Sequence, residues 1–266
     1  MTSDTPGHTP ARPRRTRQEL RELMLAAGLE ILRQDGLGTG AEHLTFKRVF
    51  EQVAATSGVR VTNASVIGRI WRSQAEFQSA VLAAVASEEV TDQERIAMEA
   101  TAGFVATVDR STVESRRSAL HEIMRIAAEA NLRSGTISRG WATVIGVWAL
   151  ASGSRGSPAT DPIYESLRAS YAAMEQRGTD ATDALLAFLG MRPRPPFCTR
   201  HFTTACTALV EGCALRDRVD DGIRGIELDT GPGGSTQEWK VLGIGMEALA
   251  EQFFEFDPDW TPDEGP

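Results

Sequence analysis

Apolar residues recur at three- and four-residue steps along most of this chain, and that spacing constrains its fold more than any other feature. Such spacing places apolar side chains on one face of an α-helix. No stretch alternates apolar and polar residues for long enough to predict a strand. We therefore expect an all-α fold in which helices bury their apolar faces against one another.

Residues 17–58 predict two amphipathic helices. The first begins near Arg17 and ends near Gly36, and the second begins after an N-capping Thr45 and ends at Gly58. Their apolar stripes are Leu20, Leu23, Met24, Ala27 and Ile31 in the first helix, and Phe46, Val49, Phe50, Val53 and Ala54 in the second. Each stripe predicts a helix with one buried face.

The segment VTNASVIGRIW follows, starting at Val61. It can form a helix of about two turns that is capped by Thr62 or Asn63 and ends at Arg69 or Ile70. Such a helix would bury Val66, Ile67 and Ile70 and leave Asn63, Ser65 and Arg69 on its other side. A capping box then starts the next helix at residues 73–76. A glycine-containing turn between two helices, the second of them short, is typical of a helix-turn-helix domain.

Positive charge is concentrated near the N-terminus, although the whole chain has a net charge of −8. Residues 1–80 contain eleven Lys and Arg against eight Asp and Glu, and the remainder contains seventeen against twenty-eight. This asymmetry is typical of a small nucleic-acid-binding domain on an acidic body, although a solvated basic arm gives it too. We expect a disordered basic arm at 1–16, a helix-turn-helix domain at 17–82, a helical effector-binding and dimerisation domain at 83–256 and a tail at 257–266.

Residues 17–82 resemble the DNA-binding domain of the TetR family of transcriptional regulators. The resemblance is carried by LAAGLEIL with the glycine after that helix, by LTFKRVFEQVAATSGV and by ASVIGRIWRSQAEF. It covers about a quarter of the chain and implies a homodimer, a ligand-responsive helical C-terminal domain and, usually, repression. Gly68 and Gln74 depart from the family pattern, which has a tyrosine and a lysine that contact the DNA backbone at these positions.

The residues expected to contact DNA combine short polar side chains with long basic ones. Short side chains suit the major groove because the backbone must come close to the base edges. The expected base contacts are Asn63 to adenine, Arg69 to guanine, Ser65 to either and Ala64 to a thymine methyl. The expected phosphate contacts are Thr45, Lys47, Arg48, Arg60 and Arg72, with Arg12, Arg14, Arg15 and Arg17 following the backbone or entering a minor groove. The alternative is a surface connector whose polar residues merely face water.

Two C-terminal segments carry apolar stripes of the kind that pack helices across a dimer axis. The stripes are Phe202, Cys206, Leu209 and Cys213, and then Trp239, Leu242, Met246, Leu249 and Phe253. Two such helices per subunit would form a four-helix bundle, although both stripes could equally be buried within one subunit. The middle helices are expected to hold a pocket for a small apolar effector. Its candidate lining residues, any of which could be ordinary core, are His121, Met124, Trp141, Val144, Trp148, Tyr164, Leu167 and Tyr171.

The sequence lacks the patterns of the common catalytic and metal sites. HEIMR has no second histidine for a zinc site, and Cys198 and His201 lack further ligands at zinc spacing. There is no G-x-S-x-G, and GPGGS lacks the Lys-Ser/Thr of a phosphate loop. We predict no metal, no cofactor and no enzymatic activity. An odd number of cysteines, no apolar run that could span a bilayer and no secretory signal predict a cytoplasmic protein that does not enter a membrane.

These features favour a ligand-responsive transcriptional regulator that binds double-stranded DNA as a homodimer on a palindromic operator, and repression rather than activation. Two alternatives stay open. One is a regulator-like helical protein with weakened DNA binding that acts through protein or small-molecule contacts, which Gly68 and Gln74 favour. The other is a small helical enzyme.

Overall fold

The computed structural model describes residues 15–37, 40–88, 93–137, 139–153, 161–220, 225–229 and 235–261. Helices account for 73% of it, in agreement with the predicted all-α class. In chain order, the elements within the described residues are α1 (Arg17–Asp35), α2 (Phe46–Ser57), α3 (Asn63–Val66), α4 (Gln74–Glu88), α5 (Gln93–Val105), α6 (Val113–Ile137), α7 (Arg139–Gly153), α8 (Asp161–Leu189), β1 (Met191–Pro193), α9 (Thr199–Asp217), β2 (Ile226–Leu228), β3 (Gln237–Trp239), α10 (Val241–Phe253) and β4 (Phe254–Phe256). None of these helices is both long enough and apolar enough to cross a bilayer.

The chain forms two compact units, residues 1–81 and residues 82–266. Helix α4 begins in the first unit and ends in the second. The predicted basic arm lies outside the described residues as far as residue 14, and so do the predicted contacts of Arg12 and Arg14. The last five residues of the predicted tail also lie outside them.

The first unit is built on a core between α1, α2 and α4. Met24, Val49 and Phe77, one from each helix, are fully buried. Phe77 packs edge-on against Trp71, with 4.9 Å between the ring centroids. A Cβ atom at Gly28 would lie 2.7 Å from a Val81 methyl carbon, so this glycine lets α1 approach α4 closely.

The segment at 61–71 differs from the sequence-based prediction. We predicted a helix of about two turns, but α3 is a single turn that ends at Val66. Gly68 adopts a φ of +74°, a left-handed conformation in which the helix cannot continue. Because the helical period is broken there, Ile67 is 46% exposed instead of buried.

The second unit has a core in which α6, α9 and α10 pack against one another. Two pairs of three-residue antiparallel strands accompany these helices, β1 with β4 and β2 with β3. We did not predict these strands, because three residues are too few to show an alternating pattern. The pairing of Met191 with Phe256 brings the end of the chain back to the end of α8.

Candidate nucleic-acid interface

The N-terminus of α2 is held by two polar side chains. Thr45 caps the helix, and its Oγ1 accepts a hydrogen bond from the Arg48 N–H at 3.3 Å. The Oε1 of Gln74, in the first turn of α4, accepts a hydrogen bond from the Phe46 N–H at 3.1 Å. Both bonds satisfy N–H groups that an α-helix leaves without a partner at its start. Thr45 and Gln74 therefore have a structural role at this helix end.

The two basic residues in the first turn of α2 have different surroundings. The guanidinium of Arg48 forms an ion pair with the Asp35 carboxylate at the end of α1. Lys47 is exposed and forms no ion pair with any described residue. Of the two predicted phosphate contacts, Lys47 therefore offers the less neutralised charge.

The turn between α2 and α3 is closed by its own residues. Gly58 ends α2 with a φ of +66°, and Val61 and Val66 are buried in the core of the unit. The Ser65 hydroxyl donates a hydrogen bond to the Thr62 carbonyl at 2.7 Å and accepts one from the Thr62 N–H at 3.1 Å. The hydroxyl that we predicted to contact a base is thus engaged in closing this turn.

The outer side of the segment presents the other predicted base contacts. Asn63, Ala64 and Arg69 are exposed, and so is Arg72 just beyond them. The side chains of Asn63 and Arg69 form no hydrogen bond with the described residues around them, so their donors are free to bind a ligand.

Four arginines converge on one groove in the first unit, which we call the arginine groove. Arg15 and Arg17 come from the start of α1, Arg60 from the turn after α2 and Arg69 from the turn after α3. The groove has a volume of about 720 Å³. Uncharged residues complete its wall, among them Leu20, Gly58, Val59, Ser65 and Gly68.

The arginine groove is strongly electropositive because its described lining includes no carboxylate. None of the four arginines forms an ion pair with another described residue. Glu19, in the first turn of α1, is turned to its own helix cap, where its carboxylate accepts a hydrogen bond from the Thr16 N–H at 2.7 Å. That bond, then one with the Thr16 side chain, and last the attraction of the Arg15 charge lower the pKa of Glu19.

Sequence reasoning named the four arginines but did not predict that they meet. Arg15 and Arg17 were assigned to an arm, whereas Arg60 and Arg69 were assigned to the helix-turn-helix. The uncharged wall residues Leu20, Gly58 and Val59 were missed altogether, since their positions depend on how α1 packs beside α2. A sequence pattern within one helix carries no information about that packing.

Known proteins offer no guide to what the arginine groove binds, so its ligand is inferred from its chemistry. No protein-family model matches the chain, and the searches of curated proteins and of solved structures found no match. A guanidinium group offers a planar fork of N–H donors that fits phosphate and carboxylate oxygens. Four such groups along one groove suit an extended polyanion better than a small neutral ligand.

A cavity of about 230 Å³ lies in the second unit between α5, α6, α8, α9 and α10. Apolar side chains make up most of its lining, and the described lining residues include no charged side chain. Its polar lining residues are Thr101, Asn131, Thr182, Thr203 and Thr207. The cavity can therefore hold a small, largely apolar molecule with a few hydrogen-bonding groups.

Only Met124 of the eight predicted pocket residues lines this cavity. His121 instead contacts Glu247, Tyr171 donates a hydrogen bond to Glu211, and Trp148 is 49% exposed. The remaining four, Trp141, Val144, Tyr164 and Leu167, are buried or half-buried elsewhere. Periodicity identifies the buried face of a helix, but a void forms only where neighbouring helices leave a gap.

The predicted dimer stripes are used for packing within the single chain. Five of the nine side chains are buried, namely Phe202, Cys206, Trp239, Leu242 and Met246. The other four, Leu209, Cys213, Leu249 and Phe253, are partly buried against the same core. The burial of these five side chains fits the alternative in which both stripes pack within one subunit, and the dimer interface stays a prediction. Burial also raises the pKa of the Cys206 thiol to about 12.

Proposed function

We propose that this chain is a DNA-binding transcriptional regulator of helix-turn-helix type that acts as a homodimer and responds to a small apolar effector. The observation that carries the proposal is the arginine groove beside α3. DNA phosphates supply the row of negative charges that four guanidinium groups, none in an ion pair with a described residue, would bind, and counterions released from the DNA favour the complex.

The exposed side chains of the segment at 61–71 support binding to base edges in the major groove of DNA. Asn63 can bond to adenine and Arg69 to guanine, and both side chains are exposed and free of described partners. The helix itself is a single turn, so it can present few base contacts. A single copy with so few contacts would bind weakly, which is why we propose a dimer on two half-sites.

The cavity in the second unit supports control by an effector. Its uncharged lining favours a neutral molecule, and its volume of about 230 Å³ favours a small one. Such a molecule changes DNA affinity only if it binds the DNA-free and DNA-bound conformations with different affinities. Release from DNA by the effector would make the protein a repressor.

Fluorescence anisotropy with DNA from the regions flanking its own gene tests the proposal. We expect the full chain to bind one such duplex more tightly than a scrambled one, with an affinity that falls steeply as salt rises. Lys47→Ala should weaken all duplexes alike and reduce the salt slope by about 1. Arg69→Ala should instead cost about 1–3 kcal/mol on the preferred duplex and relax the sequence preference.

A charge-matched control separates this effect from a general loss of positive charge. Arg168 lies on α8 with a side chain 72% exposed and outside the arginine groove, so Arg168→Ala should bind DNA like the parent chain. If the parent chain does not bind any duplex at low salt, the proposal is wrong. Equal losses in Arg168→Ala and Arg69→Ala would also contradict it.

A further inference from the structure

Three side chains with metal-binding atoms meet between α6 and α10 in the second unit. His121 comes from α6, and Glu247 and Glu251 come from α10. One nitrogen or oxygen from each residue lies within 4.8 Å of the other two. The two glutamates are four residues apart, which places them on the same face of α10. We call these residues the His–Glu cluster.

The cluster carries negative charge that no described lysine or arginine balances. Neither Glu247 nor Glu251 forms an ion pair with a described lysine or arginine. Arg125 lies one helical turn along α6 from His121, but its guanidinium binds Glu122 through Nε at 2.8 Å and Nη2 at 2.5 Å. Two carboxylates four residues apart on a helix repel each other, so a cation between them is favourable.

The imidazole of His121 reaches into the cluster, and its Nδ1 has no hydrogen-bond partner among the described residues. Its Nδ1 is buried and contacts the Glu247 carboxylate, but the contact does not have hydrogen-bond geometry. The side chains of His121 and Glu247 are 22% and 17% exposed. Glu251 is exposed, which gives an ion a path from solvent.

We propose that His121, Glu247 and Glu251 bind a divalent transition-metal ion, for which zinc is the best match. One imidazole nitrogen with two carboxylate oxygens is a ligand set of Zn²⁺ and its neighbours, whereas Ca²⁺ and Mg²⁺ favour oxygen ligands alone. The ion replaces the direct contact between His121 and Glu247. It balances the charge of both carboxylates and links α6 to α10, with a water in the open position. This site is independent of the proposed DNA binding.

Calorimetric titration of the tag-free, chelator-treated full chain with ZnCl₂ tests the site. We expect one ion per chain and a rise in the thermal unfolding temperature on addition of zinc. Glu251→Gln should weaken binding at least about 10-fold while leaving the fold intact, because Glu251 is exposed. His121→Gln should have the same effect on affinity. Co²⁺ should give a visible absorption band that both variants lose.

The control addresses another pair of metal-binding side chains, in the described part of the second unit. Cys198 Sγ and His201 Nδ1 are 3.5 Å apart on the surface, and zinc could bind there instead. His201→Ala should therefore leave the zinc affinity unchanged. A chain that binds no zinc stoichiometrically, or that loses binding in His201→Ala but keeps it in Glu251→Gln, would overturn the proposal. If His121→Gln does not fold, the zinc affinity of Glu251→Gln alone tests the proposal.

Discussion

Gln74 shows how much a single side chain can do in the first unit. Its Oε1 accepts the Phe46 N–H and so joins the starts of α4 and α2. Gln74→Ala removes this acceptor and leaves a helix N–H without a partner, at a cost of about 1 kcal/mol. Hydrogen exchange should show the Phe46 amide exchanging about 5-fold faster.

Gln18 provides the control for that prediction. It is also a helical glutamine, but its amide bonds only to Glu22 on the exposed face of α1. Gln18→Ala should change stability by less than about 0.5 kcal/mol and leave the Phe46 amide unaffected. Equal effects of the two substitutions would mean that Gln74 does not cap α2 in solution.

At the residue scale, helix caps were the most predictable features of this sequence. Thr45 was recognised as the N-cap of α2 because threonine is favoured there and an apolar stripe follows it. The acceptor role of Gln74 could not be recognised, because Gln74 comes 28 residues after Phe46 in the sequence. Capping by a distant side chain depends on tertiary packing, and local residue preference does not report it.

At the scale of elements, Gly68 decides the length of α3. Its φ of +74° costs other residues about 1 kcal/mol or more, and a Cβ added there would meet nothing within 4 Å. Gly68→Ala should therefore lower the free energy of unfolding by about 1 kcal/mol through backbone strain alone. Urea denaturation measures the change.

Gly103 is the matched control, because a Cβ added there also meets nothing within 4 Å. It lies in α5 without a positive φ, so Gly103→Ala should stabilise the chain by up to about 1 kcal/mol. The two substitutions add the same methyl group and should act with opposite signs. A stabilising Gly68→Ala would show that α3 continues past this glycine, as the sequence pattern predicted.

The packing of α8 against α9 contains two carboxylates whose pKa values shift in opposite directions. Burial raises the pKa of Glu211, although the hydrogen bond from the Tyr171 hydroxyl at 2.5 Å lowers it. Hydrogen bonds from Arg200 and then Thr204 lower the pKa of Glu175. The stability that Glu211 contributes is therefore present below its ordinary pKa and is lost as pH rises through its raised pKa. The stability that Glu175 contributes is present above its ordinary pKa and is lost as pH falls through its lowered pKa.

Glutamine substitutions should reveal these opposite signs. At pH 7, Glu211→Gln should raise the unfolding temperature, because it removes a buried charge and still accepts the Tyr171 hydrogen bond. Glu175→Gln should lower stability by less than about 1 kcal/mol, since Arg200 is largely exposed. Both differences should shrink in acid, where the parent carboxyls are protonated. Thermal scans across pH 3–7 would contradict this account if the two variants shifted in the same direction at neutral pH.

At the scale of the whole molecule, the sequence predicted the helical class but not which helix covers which stripe. The apolar repeats that contain Phe202 and Leu242 predicted buried helix faces, and both of these side chains are buried. Their partners were not evident, because a stripe of the same period packs equally well against its own chain or a second copy. Bringing α6, α9 and α10 together is a property of the folded chain, and no single segment encodes it.

Two tryptophans of the second unit therefore make a test of where the core lies. Trp239 is fully buried on β3, whereas Trp148 on α7 is 49% exposed. If Trp239 belongs to the core of each chain, Trp239→Ala should cost about 3–5 kcal/mol of stability, and Trp148→Ala about 1 kcal/mol or less. Denaturation measures the loss of stability, and sedimentation measures the mass of the variant. If Trp239 were instead an interface residue, Trp239→Ala would yield a folded single chain of 28.8 kDa with little loss of stability. Because Trp239 is enclosed by its own chain, we expect unfolding and not dissociation.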